Sequence, residues 1–186
     1  PTGAYVNKSA VEDFLAGVPH HVLVVVDEAY YEYVTAEDYP DTIRYVREGR
    51  NVVVLRTFSK IYGLAGLRIG YGIAPGHIAQ LVHRVREPFN VNAAAQIAAL
   101  AALEDEEHVR RSRELNEAGK AWLYLELEKL GLEYVPSQTN FIFVDLKQDS
   151  QVVYQRLLDR GIIARSGGVF GCPNWLRVSI GTEEEN

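Results

Sequence analysis

Continuous apolar runs along the chain alternate with stretches in which apolar residues recur every three or four positions. His21–Val26 is continuously apolar and β-branched after its first residue, so a strand buried on both faces is expected there. Asn51–Leu55 repeats the pattern, and Ile69–Ala74 gives a third strand, diluted by Gly70 and Gly72. Ser9–Gly17 reads as a short helix, with Ser9 as its cap, Glu12 three residues on and Gly17 as its stop. Thr35–Glu48 is also expected to be helical. This alternation predicts an α/β layer structure with a mainly parallel sheet.

The pattern changes after Pro75-Gly76. A helix is expected over His77–Val85, a break at Pro88-Phe89-Asn90, and an alanine-rich helix over Asn92–Leu103. Glu104–Leu130 has the apolar spacing of a long amphipathic helix, through Leu115, Ala118, Trp122, Leu125 and Leu130, and Gly131 ends it. Thr139–Leu146 and Leu176–Ile180 read as strands and Ser150–Arg160 as a helix, which makes a smaller α+β unit. The domain boundary is expected near the alanine-rich helix, dividing the chain into residues 1–95 and 96–186.

Composition narrows the class. Of the 186 residues 47% are hydrophobic and 24% charged, the balance of a globular protein, and the formal net charge of −6 argues against a phosphate-backbone binder. A single cysteine, Cys172, excludes an intrachain disulfide and fits a reducing compartment, so a cytoplasmic location is expected. No apolar run approaches the roughly 20 residues of a membrane helix. Pro1-Thr2-Gly3 at one end and Thr182–Asn186 at the other are expected to be internal to a longer chain.

Candidate chemistry sits at the ends of the expected strands. Asp27 follows the first; Thr57, Ser59 and Lys60 follow the second; Arg68 comes after a loop containing Gly63 and Gly66. Ligands of α/β sheets bind beyond the carboxyl ends of the strands, where neighbouring strands bring such groups together. A shielded lysine is a candidate amine nucleophile for an aldehyde. Two hydroxyls and an arginine form a phosphate cradle, and a carboxylate can pair with a protonated ring nitrogen. Aldehyde, phosphate and pyridine nitrogen are the handles of pyridoxal phosphate. Taken singly each residue has a plainer reading: Ser59-Lys60 as solvated loop, Asp27 as a turn former, Tyr30, Tyr31 and Tyr33 as packing. The five histidines lack metal-ligand spacing and read as solvated or capping residues.

Asp27-Glu28-Ala29-Tyr30, Thr57-Phe58-Ser59-Lys60 and Gly63-Leu64-Ala65-Gly66-Leu67-Arg68-Ile69-Gly70 together resemble the signature of the fold-type-I, pyridoxal-phosphate-dependent aminotransferases. Pro1-Thr2-Gly3 is similar to the end of their Asn-Pro-Thr-Gly turn. Within the family the nearer resemblance is to the histidinol-phosphate aminotransferases, over essentially the whole chain. It implies part of a large cofactor-binding domain, a mostly parallel sheet with helices on both faces, followed by a smaller α+β C-terminal domain. It also implies roles. Lys60 would hold the cofactor covalently and move a proton; Asp27 would meet the ring nitrogen, and Tyr30 the phenolic oxygen. Thr57, Ser59 and Arg68 would hold the phosphate. Arg177 would pair with the α-carboxylate of glutamate in one half-reaction and help with the phosphate in the other. Arg165 would meet the second anion of the substrate, its phosphate in the histidinol-phosphate case, and Asn140 would line the substrate pocket. Without the resemblance, Arg165 reads as an exposed charge and Arg177 as half of an internal salt bridge.

The implied partners are an amino donor and an oxo-acid acceptor, with a homodimer in the full-length protein and no nucleic acid or membrane. The N-terminal half of the large domain would lie outside these residues, so this piece alone is expected to be inactive. Aminotransferases of aromatic or other amino acids, a related phosphate-ester decarboxylase and the sensing domain of a transcription regulator share the same core.

Overall fold

A computed structural model describes all 186 residues, which form two compact units. One comprises Val6–Arg110; the other joins Pro1–Tyr5 to Arg111–Asn186. The division falls after Arg110, later than the expected 95/96 boundary.

The first unit is built on a three-stranded sheet ordered β1 (Val24–Asp27), β2 (Val52–Thr57), β3 (Gly70–Ile73). β1 and β2 are parallel, with Val24 opposite Val52 and Asp27 opposite Leu55, whereas β3 runs antiparallel to β2. Helices α1 (Lys8–Gly17), α2 (Thr42–Arg47), α3 (Gly76–Val85) and α4 (Ala93–Glu104) complete it, together with the first turn of α5 (Glu106–Lys129). Tyr45, Val52 and Val54 form the buried centre, with Val11, Leu15, Val24, Val26, Val46 and Ile73 packed around them. Alternate residues of a strand point to opposite faces. The other face is therefore carried by Val25 and Leu55, which are 54% and 41% exposed. The expected burial on both faces is not met within this chain.

Local chemistry explains where the elements depart from expectation. Asn7, not Ser9, caps α1: its Oδ1 accepts from the Ala10 amide at 3.0 Å. The expected helix over Thr35–Glu48 is confined to Thr42–Arg47, because Pro40 disfavours helical geometry in the residue before it. Asp41 then caps α2 through the Arg44 amide at 3.2 Å.

The second unit holds an antiparallel sheet ordered β4 (Glu133–Val135), β5 (Phe141–Asp145), β7 (Trp175–Ser179), β6 (Arg165–Ser166). It also contains most of α5, and α6 (Ser150–Leu158). β4 and β6 are three and two residues long, too short for an alternation pattern to reveal. Phe141, Ile142, Phe143, Val144 and Leu176 are buried, and Phe143 stacks on Trp175 at 5.0 Å between ring centres. A polar cluster fastens α5 to the turn before β5. Asn116 Nδ2 donates to the Thr139 carbonyl at 3.1 Å, and buried Lys120 donates to the Ser137 carbonyl at 2.9 Å while pairing with Glu117. Gly3, at φ 86°, accepts from the Gln138 amide at 2.9 Å.

Gly119 lets α5 meet the C-terminal residues: a Cβ there would lie 2.5 Å from Ile180 Cγ2. Gly119→Ala is expected to cost about 1–3 kcal/mol of stability through overpacking, read as a lowered urea midpoint. An unchanged midpoint would contradict this packing.

Candidate active site

Because β1 and β2 are parallel, their carboxyl ends lie on one rim. The Glu28 amide donates to the Leu55 carbonyl at 2.8 Å, which carries the pairing one residue past Asp27. A concavity of about 440 Å³ opens there, and its wall carries Asp27, Arg56, Thr57, Ser59, Lys60 and Arg68. That volume suits a small molecule. Five of the six sequence-predicted cofactor residues of this unit thus meet in one hollow. The sixth, Tyr30, presents its ring 4.8 Å from Lys60 Nζ.

The loop after β2 is held by its own hydrogen bonds. Thr57 Oγ1 accepts from the Ser59 amide at 3.0 Å, and Asp27 Oδ1 accepts from the Ala29 amide at 3.1 Å. Phe58 and Ile61 are buried, which leaves Ser59 and Lys60 half-buried between two apolar anchors. Gly63, at φ 70°, lets the chain turn so that its amide reaches the Lys60 carbonyl at 2.9 Å. Arg68 sits in the left-handed region, φ 54° and ψ 55°, a conformation costing about 1 kcal/mol for a non-glycine residue. Its Nη1 donates to the Ala65 carbonyl at 2.7 Å.

Three participating residues escaped the sequence reading. Glu28 is buried, and its Oε2 accepts from both Arg56 Nε and Arg56 Nη2 at 2.9 Å. Its Oε1 accepts from Thr42 Oγ1 at 2.6 Å and Tyr39 Oη at 3.3 Å. Burial works against the Arg56 charge, but the hydrogen bonds and negative charge of Glu28 outweigh it, so the guanidinium titrates above its ordinary value. Burial, then the Glu28 carboxylate beside it, push the Tyr39 hydroxyl upward. A charged residue inside the apolar run of β2 was the available signal, since buried charges need partners. The third residue is His108, whose Nε2 lies 2.8 Å from the Ile61 carbonyl. A carbonyl only accepts, so Nε2 carries the hydrogen. His108 is therefore more than the solvated or capping residue expected.

The remaining predicted residues belong to the other unit. Arg165 and Arg177 are directly opposed on β6 and β7, and their guanidinium groups lie over the Phe170 ring at 5.8 and 5.5 Å. Arg177 also covers Phe141 at 4.7 Å. Like charges directly opposed across a sheet repel, so the pair favours a bound anion. Arg177 thus lies against aromatic faces rather than a glutamate. Asn140 immediately precedes β5, and its carbonyl accepts from the Ile180 amide at 2.8 Å.

The family model described as aminotransferase class I and II matches residues 1–186. The chain belongs to the class I and II aminotransferase family. The histidinol-phosphate aminotransferase of Moorella thermoacetica is 58% identical over all of this chain, which covers 48% of that protein. A putative histidinol-phosphate aminotransferase from Erwinia carotovora atroseptica superposes with a TM-score of 0.93 at 32% identity, over 100% of this chain and 54% of that one. The histidinol-phosphate aminotransferase of Sinorhizobium meliloti, solved in complex with pyridoxal-5'-phosphate, gives a TM-score of 0.91 at 32% identity, with 100% and 51% covered. The chain spans about half the length of the curated relatives it matches. In an aminotransferase, an amine, an acid and a cation with two hydroxyls around one hollow can hold a phosphorylated aldehyde with a basic ring nitrogen.

His108→Phe removes the hydrogen bond to the Ile61 carbonyl. It is expected to cost about 1 kcal/mol and to speed amide exchange at Gly63 in the lysine loop. Exchange unchanged at Gly63 would show that this bond does not hold the loop.

Proposed function

We propose that the whole protein is a pyridoxal-phosphate-dependent aminotransferase converting histidinol phosphate and 2-oxoglutarate to imidazole acetol phosphate and glutamate, a step of histidine biosynthesis. The observation that carries the reading is the single concavity in which Lys60, Asp27 and Arg68 meet with Thr57 and Ser59. The names of relatives at 58% and 54% identity support the substrate.

The donor set fits the cofactor. Lys60 Nζ would hold its aldehyde carbon, Asp27 its ring nitrogen and Tyr30 its phenolic oxygen, while Thr57, Ser59 and Arg68 would take its phosphate. When bound, pyridoxal phosphate supplies an electron sink that loosens the proton on the substrate's amine-bearing carbon. The chain's own part is to place groups around that carbon. Lys60, as the free amine, moves the proton there. Asp27, as a carboxylate, favours the protonated ring nitrogen. Arg177 meets the α-carboxylate of glutamate, and Arg165 the phosphate of histidinol phosphate, in the fork geometry that suits both anions. Asn140 lines the same substrate pocket. The proposed cofactor residues all belong to the unit Val6–Arg110, and the proposed substrate residues to the unit that contains Arg111–Asn186. The whole protein works as a cytoplasmic homodimer.

Borohydride reduction of the whole protein with pyridoxal phosphate, followed by peptide mapping, should find the cofactor on Lys60. Lys60→Ala should remove the label and lower transamination by about 10²–10⁴-fold or more. A label on another lysine, or none, refutes the assignment. Turnover of aromatic amino acids but not of histidinol phosphate would shift the substrate to the aromatic class.

Arg165→Ala should raise KM for histidinol phosphate far more than KM for glutamate, and Arg177→Ala the reverse. Equal effects on both substrates would remove the division of labour between them.

A further inference from the structure

The Glu28–Arg56 pair is better built than its contribution to stability requires. Its side chains are 0% and 11% exposed. A buried ion pair of this kind is often no more stable than apolar residues of the same size, because desolvation cancels the attraction. What the pair does have is position. Glu28 directly follows Asp27, and Arg56 directly precedes Thr57. The last ladder bond between the strands is Glu28 N to Leu55 O, so beyond it only side chains tie the two strand ends together.

The tie is fixed in several directions. Both nitrogens of the Arg56 fork point at Oε2, and Thr42 and Tyr39 occupy Oε1. The flat face of the guanidinium lies 3.5 Å from the Tyr31 ring centre. A planar group gripped at its edge and on its face cannot swivel, unlike an ammonium on a flexible stem. Arg56 also forms part of the wall of the concavity.

We propose that Glu28 and Arg56 are positioning residues, which fix the separation between Asp27 on one strand end and Thr57, Ser59 and Lys60 on the other. This rests on the cofactor reading above. Rigidly held side chains bind one ligand shape tightly, and a site slackened by an ångström loses much of its rate.

Three variants of the whole protein test it: Arg56→Lys, Glu28→Gln, and Glu28→Leu combined with Arg56→Met. In the cofactor-free protein, amide exchange at Ala29 and Ser59 should be at least about tenfold faster in Arg56→Lys, because its charge remains but its fork is gone. With pyridoxal phosphate, Arg56→Lys should bind more weakly and show a lower kcat at nearly unchanged substrate KM. Glu28→Gln should lower the thermal midpoint. The double apolar variant should regain that midpoint without regaining cofactor affinity or kcat. A double variant with wild-type midpoint, affinity and kcat makes the pair merely structural and overturns the proposal. If the double variant does not fold, Arg56→Lys decides: wild-type exchange and kinetics there overturn it equally. Wild-type protein that fails to take the cofactor on Lys60 fails the functional reading instead, while the exchange at Ala29 and Ser59 still reports on the tie.

Discussion

Parallel pairing of Val24–Asp27 with Val52–Thr57 is the constraint on which the candidate site depends. Two parallel neighbours must end on the same rim, so residues about 30 positions apart in sequence become neighbours without any loop having to fold back. Much of what lies beyond that rim is short-range, a turn at Gly63, two apolar anchors at Phe58 and Ile61, and capping bonds to Asp27 and Thr57, with the Glu28–Arg56 pair and the His108–Ile61 bond as longer ties. The antiparallel return of β3 then places Gly70 opposite Thr57. Arg68 is therefore only two residues from the same strand end when the chain re-enters the sheet.

The half-covered sheet shows how much of the fold this chain can and cannot complete. Val52 and Val54 are fully enclosed, whereas Val25 and Leu55, on the opposite face, are not. Ala95 and Ala99 of α4 are buried, but Ile97 and Leu100 on the same helix are 69% and 66% exposed. Apolar surface of that extent marks a place for further protein, and the chain accounts for about half the length of its curated relatives. The two observations agree: apolar β-strand sequences written for burial on both sides meet a cover on one.

Strand and helix positions were legible wherever the apolar pattern was long. β1, β2, the 24-residue α5 and β5 overlap the segments that apolar runs and helical spacing marked, although β1 starts at Val24 rather than His21. Short elements such as β6 carry too few residues to express a pattern. The Thr35–Glu48 helix shrank because one proline outweighs a window of favourable propensity. In the site, the motif residues around Lys60 were legible because their order is specific. Glu28, Arg56 and His108 were not, since each acts through a partner 28 or 47 positions away that no local pattern links to it.

Arg68 carries a tension of its own. Its backbone adopts a conformation natural to glycine, yet its side chain supplies a guanidinium on the rim of the hollow. Glycine at this position would relax the main chain and at the same time take away the positive charge. Backbone comfort and side-chain charge therefore pull this one position in opposite directions, and no single substitution can satisfy both.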